Sequence, residues 1–329
     1  MVLNYFFTLE GGKIHMTQLL VQQVLTMFIL SAVGYICFRT NKISMEGCRT
    51  ISNILIYLSL PCVIINSFLV EYSTERLMGL IYSSIAAMIV MIICIVVSRI
   101  FFAKDPILNF AAAFSNPGFF GIPLIVATLS NGAVFYIAAF IAFVNLLQWS
   151  YGVALLTTDP STSCEKRSWK KFIPSPKRLL KAPFMIAVII GLFFFLTGLP
   201  MPELISKSIQ YIANLNTPLA MFTIGIYLAQ TNPGKMFKKP QLYLLSVVRL
   251  IVIPLVALLV LSILPAEFAE MKLALLIVSA CPTGSNVAVY AQLYDSDYSY
   301  AVETVIISTL LSIITIPGIV QLADMIHFI

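Results

Sequence analysis

Residues 78 to 102, MGLIYSSIAAMIVMIICIVVSRIFF, carry a single charge, Arg99, over a length that crosses a bilayer. About 20 apolar residues span a hydrocarbon core of about 30 Å, where no water satisfies exposed main-chain groups. Such a run has to be a helix, and its neighbours have to be lipid or protein. Ten runs of this kind follow one another, near 18–38, 50–70, 78–102, 107–129, 132–157, 182–199, 204–229, 242–264, 271–293 and 298–321. With 60% hydrophobic and 10% charged residues and a mean hydropathy of +0.96, the chain lacks the polar surface of a soluble domain. The short period-2 strands of an outer-membrane barrel are absent. The predicted fold class is therefore an all-α integral membrane protein of ten transmembrane helices.

Lysine and arginine favour the cytoplasmic side of short loops. Connections after odd-numbered spans hold Arg39, Lys42, Arg49, Arg99, Lys104, Lys235, Lys238 and Lys239, together with seven basic residues between Lys166 and Lys181. The other side holds only Lys13, Arg76, Lys207 and Lys272, so both termini are predicted to be extracytoplasmic. The expected location is the plasma membrane, as in a bacterial inner membrane. The net charge of +6 is accounted for by this lipid-facing surface, and no nucleic-acid partner is called for. Six scattered cysteines show no C-x-x-C pair, and the polar first 16 residues lack a signal-peptide core.

The ten spans divide into 1–157, a first five-helix repeat, and 182–329, a second, joined by a hydrophilic loop at 158–181. Five crossings per half force the second half to run upside down. Gly34, Glu46 and Pro61 recur as Gly191, Glu203 and Pro218, and Pro117 in span 4 has its counterpart in Pro282 in span 9. Inverted repeats of this kind typify secondary transporters with a site at the midplane.

Spans 4 and 9 are broken. Pro117 lies about 15 Å and Pro282 about 16 Å from the respective membrane surfaces, so both breaks fall at mid-depth. Proline lacks an N–H and clashes with the preceding turn, which predicts that each helix stops and restarts. In FSNPGFFGIPL, Asn116 reads as an N-cap before Pro117, with Gly118 and Gly121 permitting close approach. In CPTGSNVAVYAQ, Pro282, Thr283, Gly284, Ser285 and Asn286 form the matching break. Two helix N-termini pointing at a common centre favour a carboxylate. Substrate contact is predicted from these residues, the alternative being two proline kinks buried in packing.

Other polar residues are ambiguous. Asn145 and Gln148 in span 5, and Ser308, Thr309 and Ser312 in span 10, serve either interhelical hydrogen bonding or a ligand. Asn66 and Thr217 are further lining candidates, whereas Pro61 and Pro218 are expected to kink spans 2 and 7. Arg249 in span 8 either snorkels to the surface or turns inward as a counter-charge to substrate. Glu303 in span 10 is a candidate for proton or cation coupling, or a solvated carboxylate. Trp149 and Tyr151 fit an aromatic belt.

LPCVIINSF, NPGFFGIPL, VVRLIVIPL, CPTGSNVAVYAQLYDSD and STLLSIITIPG jointly resemble the auxin efflux carrier family, including its bacterial malate or malonate permease-like members. The resemblance covers nearly the whole chain. It implies a fold similar to the bile-acid sodium symporters, with spans 1, 2, 6 and 7 as scaffold and spans 3–5 and 8–10 as a transport domain around crossed spans 4 and 9. It also implies carboxylate substrates, an elevator-like movement and a homodimer through the scaffold. The plant exporters carry a long cytoplasmic loop between halves; the short loop here resembles the bacterial members.

The reading is a secondary transporter of small organic anions without a cofactor, with proton or sodium coupling open. A membrane-embedded sensor that binds without moving its ligand is the alternative, lowered by the lack of an appended signalling segment. Enzyme chemistry has no support: there is no H-E-x-x-H, no histidine beside a nucleophile and no paired acids at depth.

Overall fold

The computed structural model describes residues 16–130, 132–157, 182–231 and 233–326. The loop at 158–181, with Cys164 and its basic cluster, lies outside the described residues, as do Lys13, His15 and His327. The principal helices are α1 (Met16–Arg39), α2 (Met45–Phe68), α3 (Thr74–Phe102), α4 (Pro106–Ala113), α5 (Pro117–Thr128), α6 (Val134–Thr157), α7 (Pro183–Thr197), α8 (Glu203–Gln230), α9 (Pro240–Leu261), α10 (Ala269–Ala280), α11 (Asn286–Leu293) and α12 (Tyr298–Met325). Among the described residues seven of these, α1, α2, α3, α6, α8, α9 and α12, are long and apolar enough to cross a membrane. The chain is a multi-pass membrane protein. Spans 4 and 9 resolve into the short pairs α4/α5 and α10/α11 and span 6 is the 15-residue α7, which is why seven helices rather than ten reach spanning length among the described residues.

Local chemistry sets the helix starts. Ser44, Ser73, Asp105 and Asp297 cap α2, α3, α4 and α12, accepting from the N–H groups of Gly47, Arg76, Leu108 and Tyr300 at 2.9–3.1 Å. The interior prolines act upstream of themselves. A proline leaves the carbonyl four residues back without its partner. Those carbonyls belong to Tyr57, Asn214 and Leu250, which fall in the π-helical turn Leu55–Ser59, the break at residues 214–215 and the π-helical turn Val248–Val252. The kinks expected at Pro61 and Pro218 are thus irregular turns a few residues earlier, and a third arises from Pro254.

The helices pack as two groups. In one, α1 lies along the second part of α8 and α2 lies against α7 and the first part of α8; in the other, α3 packs on α4 and α6, and α9 on α10 and α12. The α1–α8 crossing is a main-chain approach. A Cβ on Gly225 would stand 1.9 Å from the Ser31 carbonyl oxygen, and one on Gly34 would stand 2.5 Å from that of Phe222. Small residues permit such contacts where lipid supplies no hydrophobic drive. We expect Gly225→Ala to cost about 2 kcal/mol or more through overpacking. Gly318→Ala, where nothing lies within 4 Å, should be neutral or slightly stabilising. Thermal midpoints in detergent compare them; equal midpoints would count against the close crossing.

Residues 107–113 of α4 and 271–280 of α10 are buried on every side. Large apolar side chains such as Ile29, Ile100, Leu204, Ile263 and Ile314 face outward instead. This inversion is expected of a chain solvated by lipid, and it places two broken helices where protein surrounds their irregular backbone.

Candidate functional site

The two breaks meet. Ser115 and Thr283 form an antiparallel bridge in which the Asn116 N–H donates to Pro282 O and the Gly284 N–H donates to Phe114 O, both at 2.9 Å. The bridge occupies residues that neither helix can continue through. A Cβ on Gly284 would lie 2.8 Å from Ser115 O, so this glycine is required by the approach of the two chains. Thr283 locks the crossing further: its hydroxyl donates to Ala111 O at 3.1 Å, and its N–H donates to the Ser308 hydroxyl at 3.1 Å. Asn116 caps α5, with Oδ1 accepting from the Phe119 N–H at 3.2 Å. Its amide nitrogen, Nδ2, is buried without a hydrogen-bond partner, and so is the neighbouring Ser115 hydroxyl. A buried polar atom in this condition costs about 1–3 kcal/mol, so it calls for a function.

Arg249 occupies the opposite ends of the first half-helices. It is 0% exposed, in the π-helical turn that Pro254 imposes on α9. Nε donates to Cys281 O at 3.2 Å, Nη1 to Ala112 O at 3.0 Å and Cys94 Sγ at 3.7 Å, and Nη2 to Ser279 O. These carbonyls terminate α4 and α10, where main-chain acceptors have no intrahelical partner. Each helix C-terminus carries about half a negative charge, so two of them nearly balance one guanidinium. The side chain turns inward, as one reading of the sequence had it, and its oxygen acceptors are main-chain carbonyls.

A cavity of about 320 Å³ lies against the break. Ser115, Asn116, Pro117 and Gly118 line it from the α4–α5 break, and Gly284, Asn286 and Tyr290 from the α10–α11 side. Asn145, Gln148 and Trp149 line it from α6, and Asn53 and Tyr57 from α2. Among the described residues, no Asp, Glu, Lys, Arg or His lines it. Asn286 Nδ2 donates to Gln148 Oε1 at 2.8 Å, and Asn145 Nδ2 donates to Ile141 O at 2.8 Å. Amide groups, aromatic rings and helix N-termini therefore make the site, without an ionised side chain.

Residues 19–320 match the family described as Membrane transport protein. The chain belongs to that family. It is 24% identical over 307 residues to a protein of Rhizobium meliloti (strain 1021) named "Putative malonate transporter", covering 91% of this chain and 94% of that one. A second relative, named an uncharacterized transporter, from Methanocaldococcus jannaschii, is 24% identical over 309 residues, covering 89% of this chain and 95% of its own. The family and both relatives are transporters, with no enzyme among them.

In this membrane transport protein the residues singled out from sequence separate by role. Asn116, Pro117, Gly118, Asn145, Gly284 and Asn286 line the cavity. Pro282, Thr283, Ser285, Gly121, Arg249 and Glu303 are absent from its lining. Gly121 serves helix packing, since a Cβ there would stand 3.0 Å from Val278 Cγ1 and 3.3 Å from Cys281 Sγ. Glu303 is 5% exposed and pairs with Lys239 Nζ at 2.5 Å, so its carboxylate is neither solvated nor at the break. Tyr151, expected at an aromatic belt, is buried and donates its hydroxyl to Asn109 Oδ1 at 2.9 Å. Ser115, Asn53, Tyr57, Tyr290 and Trp149 are lining residues that the sequence reading did not assign. Ser115 alone had a usable signal, one residue ahead of the cap.

Proposed function

We propose that this membrane transport protein is a secondary transporter of small organic anions, carboxylates such as malate, malonate, lactate or auxin-like acids, across the cytoplasmic membrane. The observation that carries the proposal is the unpartnered Asn116 Nδ2, a buried donor in a residue that lines the cavity of about 320 Å³, next to Ser115 with its own unpartnered hydroxyl. The charge arithmetic agrees. Arg249 offsets the negative ends of α4 and α10, leaving the positive ends of α5 and α11 at the break, worth together about one unit of charge. One carboxylate group matches that potential without any ionised side chain. The name of the Rhizobium relative points to the same class.

The inverted-repeat and elevator readings rest on paired features. Contact of α1 with α8 is mirrored by contact of α7 with α2, as an exchange of halves requires. Gly34 and Gly191 both sit where another helix presses, against Phe222 and Phe68 respectively. Glu46 and Glu203 both fall in a helix first turn. The group α1, α2, α7 and α8 would be the scaffold and the remainder the moving body, displaced with its ligand. A homodimer through the scaffold, and proton or sodium coupling, belong to the same proposal.

Purified protein in sealed liposomes should accumulate labelled carboxylates well above protein-free vesicles. A panel of mono- and dicarboxylates, run at two pH values with and without sodium, would identify both substrate and coupling. Correctly inserted protein that moves none of them would remove the proposal.

A further inference from the structure

A second cavity, of about 110 Å³, is lined by Asn66, Ser67, Gln210, Asn214, Asn216 and Thr217, with apolar residues of α2, α5 and α6. It is stacked end to end with the larger one along the same three helices. On α2 the larger cavity takes residues 53–60 and the smaller takes residues 63–67; on α5 the division is 117–119 against 122 and 126; on α6 it is 141–149 against 134. The helix directions make these divisions agree, since α6 descends where α2 and α5 rise. What lies between is thin. Leu60 stands against Gly118, whose Cβ would meet its methyl groups at 3.5–3.7 Å, and Asn216 Nδ2 donates to Gly118 O at 3.0 Å. Asn216 is 2% exposed, and its Oδ1 has no hydrogen-bond partner.

We propose that the smaller cavity is the closed half of the translocation route and that the Asn216–Gly118 hydrogen bond is the latch dividing it from the substrate cavity. The inference rests on the transport reading for its purpose and on this geometry for its residues. Asn216 belongs to α8, in the proposed scaffold, and Gly118 to α5, in the proposed moving body. Helix α5 packs against α1 and α8 on one side and α10 and α6 on the other. Displacement of that body along the scaffold would break this bond. The carbonyl it holds is one residue beyond Pro117, in the same turn that Asn116 caps. Release of Gly118 would let the α5 N-terminus and its ligand leave the larger cavity for the row of amides and hydroxyls on α2 and α8. The amide N–H and hydroxyl groups of this row can donate to the polar end of the same organic anion, and the unpartnered Asn216 Oδ1 can accept from water. Asn66 and Thr217, which the sequence marks as lining candidates, acquire a place on this second face.

The test uses a cysteine-free chain carrying either Val289→Cys in the larger cavity or Thr217→Cys in the smaller, in sealed vesicles treated with a membrane-impermeant maleimide from each face. Val289→Cys should label readily from one face, and Thr217→Cys slowly and only from the other. Adding Asn216→Ala should raise labelling at position 217 about fivefold and lower it at 289, the shift that losing one ordinary hydrogen bond allows. Asn216→Asp, equal in shape but with no N–H to donate when ionised, should act in the same direction and serves if the alanine variant does not fold. Labelling of both positions from the same face in the unaltered latch would overturn the proposal. So would variants that leave position 217 unchanged or raise both positions together. Flux measured on the same vesicles separates the two readings: a labelling shift without carboxylate flux sinks the transport reading alone, and flux without the shift sinks the latch alone.

Discussion

Arg249→Met should be the most damaging single substitution at the crossing, lowering the apparent thermal midpoint in detergent by about 10 °C. Methionine fills much of the volume but donates nothing to the carbonyls of Ala112, Ser279 and Cys281. A buried acceptor stripped of its partner costs about 1–3 kcal/mol, and breaking a buried charged network costs about 3–5 kcal/mol. For a chain of this size each kcal/mol moves the midpoint by a few degrees. Arg249→Lys keeps the charge but replaces a planar fork with one point of donation, so it should recover only part of the loss. A counter-charge to substrate would behave otherwise: lysine would then retain full stability and weaken substrate alone. A methionine variant that melts within about 2 °C of the parent would remove the capping role.

Asn116→Ala should show the reverse pattern, a modest loss of stability and a large loss of transport. Its Oδ1 is an ordinary N-cap, worth about 1 kcal/mol, which amounts to a few degrees. Its Nδ2 is the unpartnered donor, and a hydrogen bond to a charged group is worth about 1.5–3 kcal/mol, or roughly ten- to a hundredfold in substrate handling. Asn116→Asp sharpens the distinction. It preserves the cap, and a negative charge at a helix N-terminus is favourable, so the fold should keep its stability. The same carboxylate would repel an anionic substrate, so flux should fall at least as far as with alanine. Liposome uptake alongside thermal melting measures both. An aspartate variant transporting at the parental rate would show that Asn116 does not contact an anion.

The fold was legible where one physical rule acts alone. Apolar length defined the membrane segments, and the absence of a proline N–H predicted interruptions at Pro117 and Pro282 that the two half-helix pairs display. The cap at Asn116 could be read because its donor, the Phe119 N–H, is three residues away. Reading failed where the partner is remote or the rule has two outcomes. Arg249 has a side chain long enough for the surface or the interior, and its acceptors come from α4 and the end of α10. Trp149 is amphipathic at any boundary between oil and water, whether a headgroup layer or a wet cavity, so its place beside Asn145 was not readable from composition. Gly121 signalled close approach correctly without revealing that the approaching groups were protein.

By itself the sequence determined that this chain lives in a membrane, that two of its helices break and that amides stand beside the breaks, because these follow from solvation and from bonds within a few residues. The tertiary structure alone decided which unpaired groups meet. It joined the C-terminal carbonyls of α4 and α10 on one guanidinium, left Asn116 Nδ2 without a partner in a residue that lines one cavity, and bonded Asn216 of the second cavity to Gly118 of the first. Such pairings depend on three-dimensional proximity between residues 30 to 137 positions apart, for which local periodicity carries no information.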